Sequence, residues 1–261
     1  MMRALWTAGS GMIAQQGNID NISNNLANVN TTGFKKARVD FQDLMYQTIR
    51  QAGAQSGPDT QVPTGLQMGH GVRQVATQKM FIQGSFQQTD NPLDVAIEGD
   101  GFFQITMADG TTAYTRDGSF KKDSQGRVVN SDGYPLFPAI QIPEGSSDLS
   151  ISADGLVNVK DQTGQQVELG QITIVRFINP AGLHAVGRNL FRTTESSGEP
   201  VEVNPGTDGA GTLVQRYLEM SNVQVVEEMI NMIVAQRAYE TNSKAITTTD
   251  EMLGQAANLK R

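Results

Sequence analysis

Two runs of helical periodicity stand at opposite ends of this chain, and together they restrict its fold more than any other feature. From Met2, the positions Leu5, Gly9, Met12, Gln16, Ile19, Ser23 and Leu26 follow at alternating steps of three and four. That spacing draws one narrow apolar seam along an amphipathic helix. Near the other end, Val225, Met229, Met232, Gln236, Tyr239, Ser243, Ile246, Asp250, Leu253 and Ala257 repeat the pattern, with Val226, Ile230 and Ile233 as a second stripe beside it. Two adjacent stripes on one helix ask for more than one neighbour. No Pro or Gly falls in this run before Gly254. The spacing therefore predicts about 35 residues of helix, some 50 Å at 1.5 Å per residue. Such a length favours a coiled coil or bundle. Ser221 and Gln224 have the spacing of a capping box at its start.

The N-terminal run is poor in charge and dense in Asn, at positions 18, 21, 24, 25, 28 and 30. A solvated face would carry Lys and Glu instead. Asn donates and accepts without charge, so Asn24, Asn25 and Asn28 suit hydrogen bonds between closely packed helices. Gly9, Gly11 and Gly17 each weaken an isolated helix. Gly33 is placed to stop the helix in the left-handed conformation. Two such helices paired only with each other would be marginal. The expectation is a chain whose ends order on assembly with further copies.

Between the helices the chain reads as antiparallel β. Asp109-Gly110, Asp117-Gly118, Asp132-Gly133 and Asp154-Gly155 separate short runs rich in Val, Ile, Phe or Thr, the pattern of hairpins. This β domain is expected over residues 91–220, with the helical domain formed by 1–33 and 221–261. Residues 34–90 form the connector. Within it, the run around Val39 and Phe41 fits a short helix or a strand equally. Gly53 to Asp59 reads as a loop tip, and Val62, Thr64, Leu66 and Met68 alternate as a strand does. A long hairpin with its tip near Gly57 and Pro58 accounts for both sides.

The same residues exclude much chemistry. The net charge is −7 and there is no Cys, so nucleic acid is not expected as a partner, nor are disulfides or thiolate metal sites. The two His, His70 and His184, are far apart. His70 lies between two glycines, and His184 follows Gly182-Leu183 in an apparent turn, so neither is held as a base or metal ligand would be. Gly99-Asp100-Gly101 lacks the further glycine and helix of a phosphate loop, and no Gly-x-Ser-x-Gly elbow is present. No catalytic residue, cofactor or metal is expected. No apolar run approaches the roughly 18 residues of a membrane span, so no membrane insertion is expected. Arg3 followed by Ala4 to Ala14 mimics a secretory leader. Met12 stands where a small residue belongs before a cut after Ala14, and the segment is read as folded structure.

Three stretches carry a family resemblance that covers nearly the whole chain. Asn24-Asn25-Leu26-Ala27-Asn28-Val29-Asn30-Thr31-Thr32-Gly33-Phe34-Lys35 resembles the N-terminal signature of the bacterial flagellar rod and hook proteins. Asp94 to Phe103 and Tyr114 to Phe120 resemble its central motif, and Ser221-Asn222-Val223 with Met232 to Leu253 its C-terminal one. The length and the segment from Tyr46 to Gly65 resemble the distal-rod branch, with a hook or proximal-rod subunit, or a non-flagellar fibre protein, as alternatives. The resemblance implies a homo-oligomeric helical tube in the basal body, crossing the periplasm and enclosing an export channel. It also implies export through the flagellar type III apparatus, and contacts with proximal-rod, hook or hook-junction and ring proteins. Leu5, Met12, Ile19, Leu26, Asn24, Asn25, Asn28, Val226, Met229, Ile230, Ile233, Tyr239, Ile246 and Leu253 would carry self-assembly. Tyr46, Gly53, Pro58, Val62 and Gly65 mark the segment expected to stiffen the tube.

Overall fold

The structure, a computed structural model, describes residues 2–57, 60–143, 145–161 and 165–258. Two long helices bracket a chain that is otherwise strands and turns. Helix α1 spans Met2–Ala27 and α2 spans Val225–Asn258. Both follow the periodicity of the sequence, but their ends differ from it. Helix α1 stops at Ala27, six residues before Gly33. Gly33 is left-handed, at φ +67, yet its role is elsewhere: a Cβ there would lie 2.6 Å from the Asp117 amide nitrogen. The capping box does not form. The Ser221 hydroxyl accepts the Val223 N–H, and α2 begins only after Gln224, whose carbonyl accepts the Glu228 N–H. Glu227 and Glu228 place negative charge in the first turn of α2, where the helix dipole favours it.

By contacts the chain divides into two units. One comprises residues 1–26, 37–78 and 224–261; the other comprises 27–36 and 79–223. The first unit contains the two helices and three two-stranded sheets, the smallest pairing Gln55–Gly57 with Thr60–Gln61. Ala37–Asp43 pairs with Val72–Lys79, so the stretch around Val39 and Phe41 is strand. Tyr46–Arg50 pairs antiparallel with Leu66–Gly69, setting Tyr46 opposite Gly69 and Gln47 opposite Met68. Beyond these strands the hairpin is closed by Gly53 N–H to the Val62 carbonyl and Val62 N–H to the Ala54 carbonyl. Val62 is buried there, and Pro58 lies outside the described residues.

The second unit is built of strands and turns, with one short 3-10 turn at Pro180–Gly182. Its largest sheet has seven antiparallel strands in the order His184–Gly187, Leu190–Arg192, Thr112–Thr115, Phe102–Thr106, Ile174–Arg176 and Val201–Val203, with Leu136–Phe137 also pairing Phe102–Thr106. His184 is thus in an edge strand rather than a turn. A three-stranded meander, Ser147–Ile151, Leu156–Lys160 and Gln166–Gln171, supplies Val157 and Val159 to the same core as Val95, Ile97, Phe103, Phe120 and Ile174. On the other face Phe81, Phe102, Tyr114, Phe177 and Phe191 meet edge to face, at centroid separations of 4.9–6.1 Å.

Three of the four Asp-Gly pairs make the expected turns, with Gly110, Gly133 and Gly155 at φ +79, +84 and +84. Asp117-Gly118 does not. Gly118 is a glycine for want of space: a Cβ would overlap the carbonyl oxygen of Val95, whose N–H bonds the Gly118 carbonyl. Gly118→Ala is therefore expected to lower the stability of the β unit by about 1–3 kcal/mol through overpacking. Thermal unfolding followed by circular dichroism checks this, and an unchanged midpoint would mean that the Val95 strand simply moves aside.

Candidate assembly interface

Three separate segments meet at one buried point of the second unit. Residues 33–36 follow α1 in the chain, residues 80–85 follow the strand Val72–Lys79, and residues 219–223 precede α2. Gly33 N–H donates to the Glu219 carbonyl, Met80 N–H to the Lys36 carbonyl, and Met220 N–H to the Ser85 carbonyl. The Asn222 side chain accepts the Lys36 N–H and donates to the carbonyls of Met80 and Ile82. Gly84 sits where a Cβ would overlap the Met220 carbonyl.

At the centre lies Glu219, whose side chain is fully buried. Its Oε1 accepts the Lys35 ammonium at 2.6 Å and the Gly84 N–H at 2.9 Å. Arg116 approaches Oε2 at 3.5 Å, donates to the carbonyls of Gly99 and Ile97, and covers the Phe102 ring. Lys35 also donates to the Ile82 carbonyl at 2.8 Å. Two cations therefore share one carboxylate out of reach of water. Burial lowers the proton affinity of Lys35 despite the opposing pull of Glu219. The unfolded chain then holds the Lys35 proton more tightly, so this group's contribution to stability rises as pH climbs towards the ordinary value of 10.5. Nothing in this cluster is open to a substrate. Its effect is geometric: it fastens together four stretches of chain, around Lys35, Gly84, Arg116 and Glu219, that come from far apart in sequence.

No periodicity singles out Lys35, Arg116 or Glu219, although Lys35 and Arg116 lie inside stretches that carry the family resemblance. The available signal was composition: in a chain with only 18% charged residues, Glu219 sits between Leu218 and Met220.

The helices carry the surfaces expected to assemble. Asn25 is buried, exchanging two hydrogen bonds with the backbone of Ala37 and donating to Glu228 of α2 at 3.4 Å. Asn21 donates to the same Ala37 carbonyl. The Asn-rich face therefore serves the start of a strand as much as a second helix. Asn24 is exposed and Asn28 half-buried. Leu5, Met12, Ile19 and Leu26 are half-buried on the flank of α1, as are Ile246 and Leu253 on α2. Helix α1 meets α2 again at Gly11, where a Cβ would lie 2.8 Å from the Asn242 side chain.

Much apolar surface remains uncovered. On α2, Val226, Met229, Ile230, Ile233 and Tyr239 are exposed, together with Val234. On α1, Met2, Trp6 and Ile13 are exposed, Trp6 by 77%. The sequence seam included Met2 but passed over Trp6 and Ile13, which lie one position away from it. Tyr46 is exposed in the hairpin, with Met45, Ile49, Leu66 and Met68. Gly53 turns at φ +80 in open space, and Gly65 sits against the Arg50 carbonyl. Contiguous exposed apolar surface of this kind marks interaction sites. His70 and His184 are both exposed. Among the described residues, no three His, Asp or Glu come together as metal ligands, and no helix is long and apolar enough to cross a membrane.

Comparison with known proteins agrees with this architecture. Three family models match along the chain: "Flagella basal body rod protein" over residues 5–35, "Flagellar hook protein FlgE/F/G D1 domain" over 96–159, and "Flagellar basal body rod FlgEFG protein C-terminal" over 214–259. The flagellar basal-body rod protein FlgG of Borreliella burgdorferi is 58% identical, covering the whole of both chains. That of Caulobacter vibrioides is 49% identical over 99% of this chain and all of its own, and that of Bacillus subtilis 43% identical over all of both.

Removing the central carboxylate should expose what the cluster does. Glu219→Gln leaves Lys35 and Arg116 buried without an anion, at an expected loss of about 3–5 kcal/mol. Adding Lys35→Met should restore part of it. Urea unfolding followed by circular dichroism measures both. A Glu219→Gln protein as stable as the parent would show that water reaches the cluster.

Proposed function

The chain belongs to the flagellar basal-body rod family, a structural family and not one of enzymes, and from this premise we propose how the subunit builds a distal rod. It is a structural subunit of the basal-body rod. Many copies form a hollow, rigid shaft that carries torque from the motor to the hook and encloses the export channel. Its neighbours would be proximal-rod proteins, a hook or hook-junction protein and the surrounding rings, and it would reach its place through the type III export apparatus. Residues 1–33 and 221–261 would line the inner layer, 34–90 would connect it, and 91–220 would form the outer β domain.

The observation that carries this reading is the pair of helix contacts. From Asn25 to Gly11, α1 runs back 14 residues; from Glu228 to Asn242, α2 runs forward 14. Equal and opposite steps are what an antiparallel coiled-coil pair requires. Continuing the register puts Asn18 opposite Ala235. Ala235 is buried, consistent with a close approach. The exposed stripes of both helices, Val226, Ile230 and Ile233 among them, then remain for other copies.

The chain has no native Cys, so the register can be tested by Asn18→Cys with Ala235→Cys. Mild oxidation should close a disulfide within one chain, seen as faster migration without reductant, because facing Cα atoms fall within bonding range. Asn18→Cys with Thr249→Cys, about four helical turns out of register, should not react. Equal reaction of both pairs would remove the antiparallel pairing.

The hairpin is assigned the stiffness of the shaft. Tyr46, Ile49, Leu66 and Met68 present apolar side chains that adjacent subunits can cover, locking one packing against helix slippage. Deleting residues 46–65 should leave a protein that exports and polymerises into a flexible tube. Persistence length in electron micrographs decides it, and a filament as straight as the parent would place the stiffness in the helices or the β domain.

A further inference from the structure

Three glycines interrupt α1, and the chain's own packing explains two of them. A Cβ at Gly11 would crowd Asn242, and one at Gly17 would overlap the Gln74 side chain. At Gly9 a Cβ would meet nothing within 4 Å. A glycine inside a helix is unfavourable relative to alanine, so its own fold gives no reason for Gly9. What Gly9 does is leave a notch in an otherwise apolar line. At about 100° per residue, Met2, Trp6, Gly9 and Ile13 fall on one stripe, roughly opposite the buried Ala14, Ile22 and Asn25. Met2, Trp6 and Ile13 are all more than 65% exposed.

The matching surface is on the same chain. Val226, Ile230 and Ile233 form a stripe on α2 roughly opposite its buried Glu228, Ala235 and Thr249, and all three are at least half exposed. The spacing is the same on both helices, four then three then four, when Arg237 closes the second stripe. Run antiparallel, Ile13 faces Val226, Gly9 faces Ile230 and Trp6 faces Ile233, while Met2 lies along the stem of Arg237. Of the branched side chains on the α2 stripe, Ile230 is the one that meets the position without a Cβ, as in ridge-into-groove packing. The two stripes cannot meet within one molecule, because each points away from its partner helix.

We propose that Met2, Trp6, Gly9 and Ile13 of one copy seat on Val226, Ile230, Ile233 and Arg237 of a second copy, with Ile230 entering the notch at Gly9. The contact joins two different patches, so it is head-to-tail and leaves a free stripe at each end of any pair. Repeated, it propagates without closing as a symmetric dimer would. It rests on the rod reading and on the antiparallel register above, and it adds the residues by which one copy grips the next.

The test uses the full chain with Gly9→Leu. Because the site is open in the single molecule, helicity by circular dichroism should hold or rise. The concentration needed for filament formation should increase about tenfold or more, the size of effect expected at the centre of an interface. In parallel, Ile13→Cys and Val226→Cys chains, each with one thiol, are mixed before assembly and oxidised. A cross-linked heterodimer is expected, and little from Ile13→Cys mixed with Val234→Cys. If the parent forms tubes while Gly9→Leu assembles at the same concentration, or the two mixtures cross-link alike, this contact is wrong and the rod reading stands. A parent chain that forms no tube under any condition sinks both.

Discussion

Glu219 holds two cations in a place water does not reach, and the course of the chain depends on it. A carboxylate with Lys35 at 2.6 Å, the Gly84 N–H at 2.9 Å and Arg116 at 3.5 Å has its charge answered from three directions. Each of those groups belongs to a different stretch of chain. The stretch bearing Lys35 follows α1, and the one bearing Glu219 precedes α2. Buried ion pairs are poor sources of net stability, because desolvation offsets much of the attraction. Their value is intolerance of error. A shifted register at the junction would bury a charge with no partner, whereas a misplaced leucine would only lose some packing. For a structural subunit, fixing the course of these stretches matters more than the last kilocalorie.

The parts of this fold that the sequence disclosed are those with a repeating local cause. Helix α2 was legible because apolar residues recur from Val225 to Leu253 with no Pro or early Gly. The hairpins were legible because Asp109-Gly110, Asp132-Gly133 and Asp154-Gly155 each put a residue free to adopt positive φ beside an Asp. Where a second cause produces the same letters, the reading failed. Gly118 follows an Asp as the turn glycines do, yet it is there because the Val95 carbonyl leaves no room. Gly33 has the backbone of a helix stop but serves the approach of Asp117. Ser221 and Gln224 have the spacing of a capping box, but Ser221 is used two residues ahead and the helix waits for Gln224.

The candidate surfaces show the same division. The stripe of Val226, Ile230 and Ile233 was legible because an exposed apolar stripe repeats like a buried one. Trp6 and Ile13 were missed because the first seam drawn through Leu5 and Met12 already accounted for the periodicity of α1. Leu5 and Met12 turn out to lie on the flank, half-buried. Lys35, Arg116 and Glu219 have no periodicity at all. Their meeting depends on contacts 184 residues apart for Lys35 and Glu219, and such a separation leaves no local trace.

That separation also governs the order in which the molecule can form. The β unit is built largely from hairpins whose partners are close in sequence, such as Phe102–Thr106 with Thr112–Thr115. Closing those loops costs little entropy and is fast. The Lys35–Glu219 contact closes one of the longest loops in the unit, and it gains only when both ends are present. A chain that lengthens from its N-terminus during synthesis holds Lys35 and Arg116 long before Glu219 arrives. Until then the two cations repel each other and the junction stays open. The last segment to appear is the one that neutralises them, so the fold closes around its own completion, and a truncated chain is left ajar.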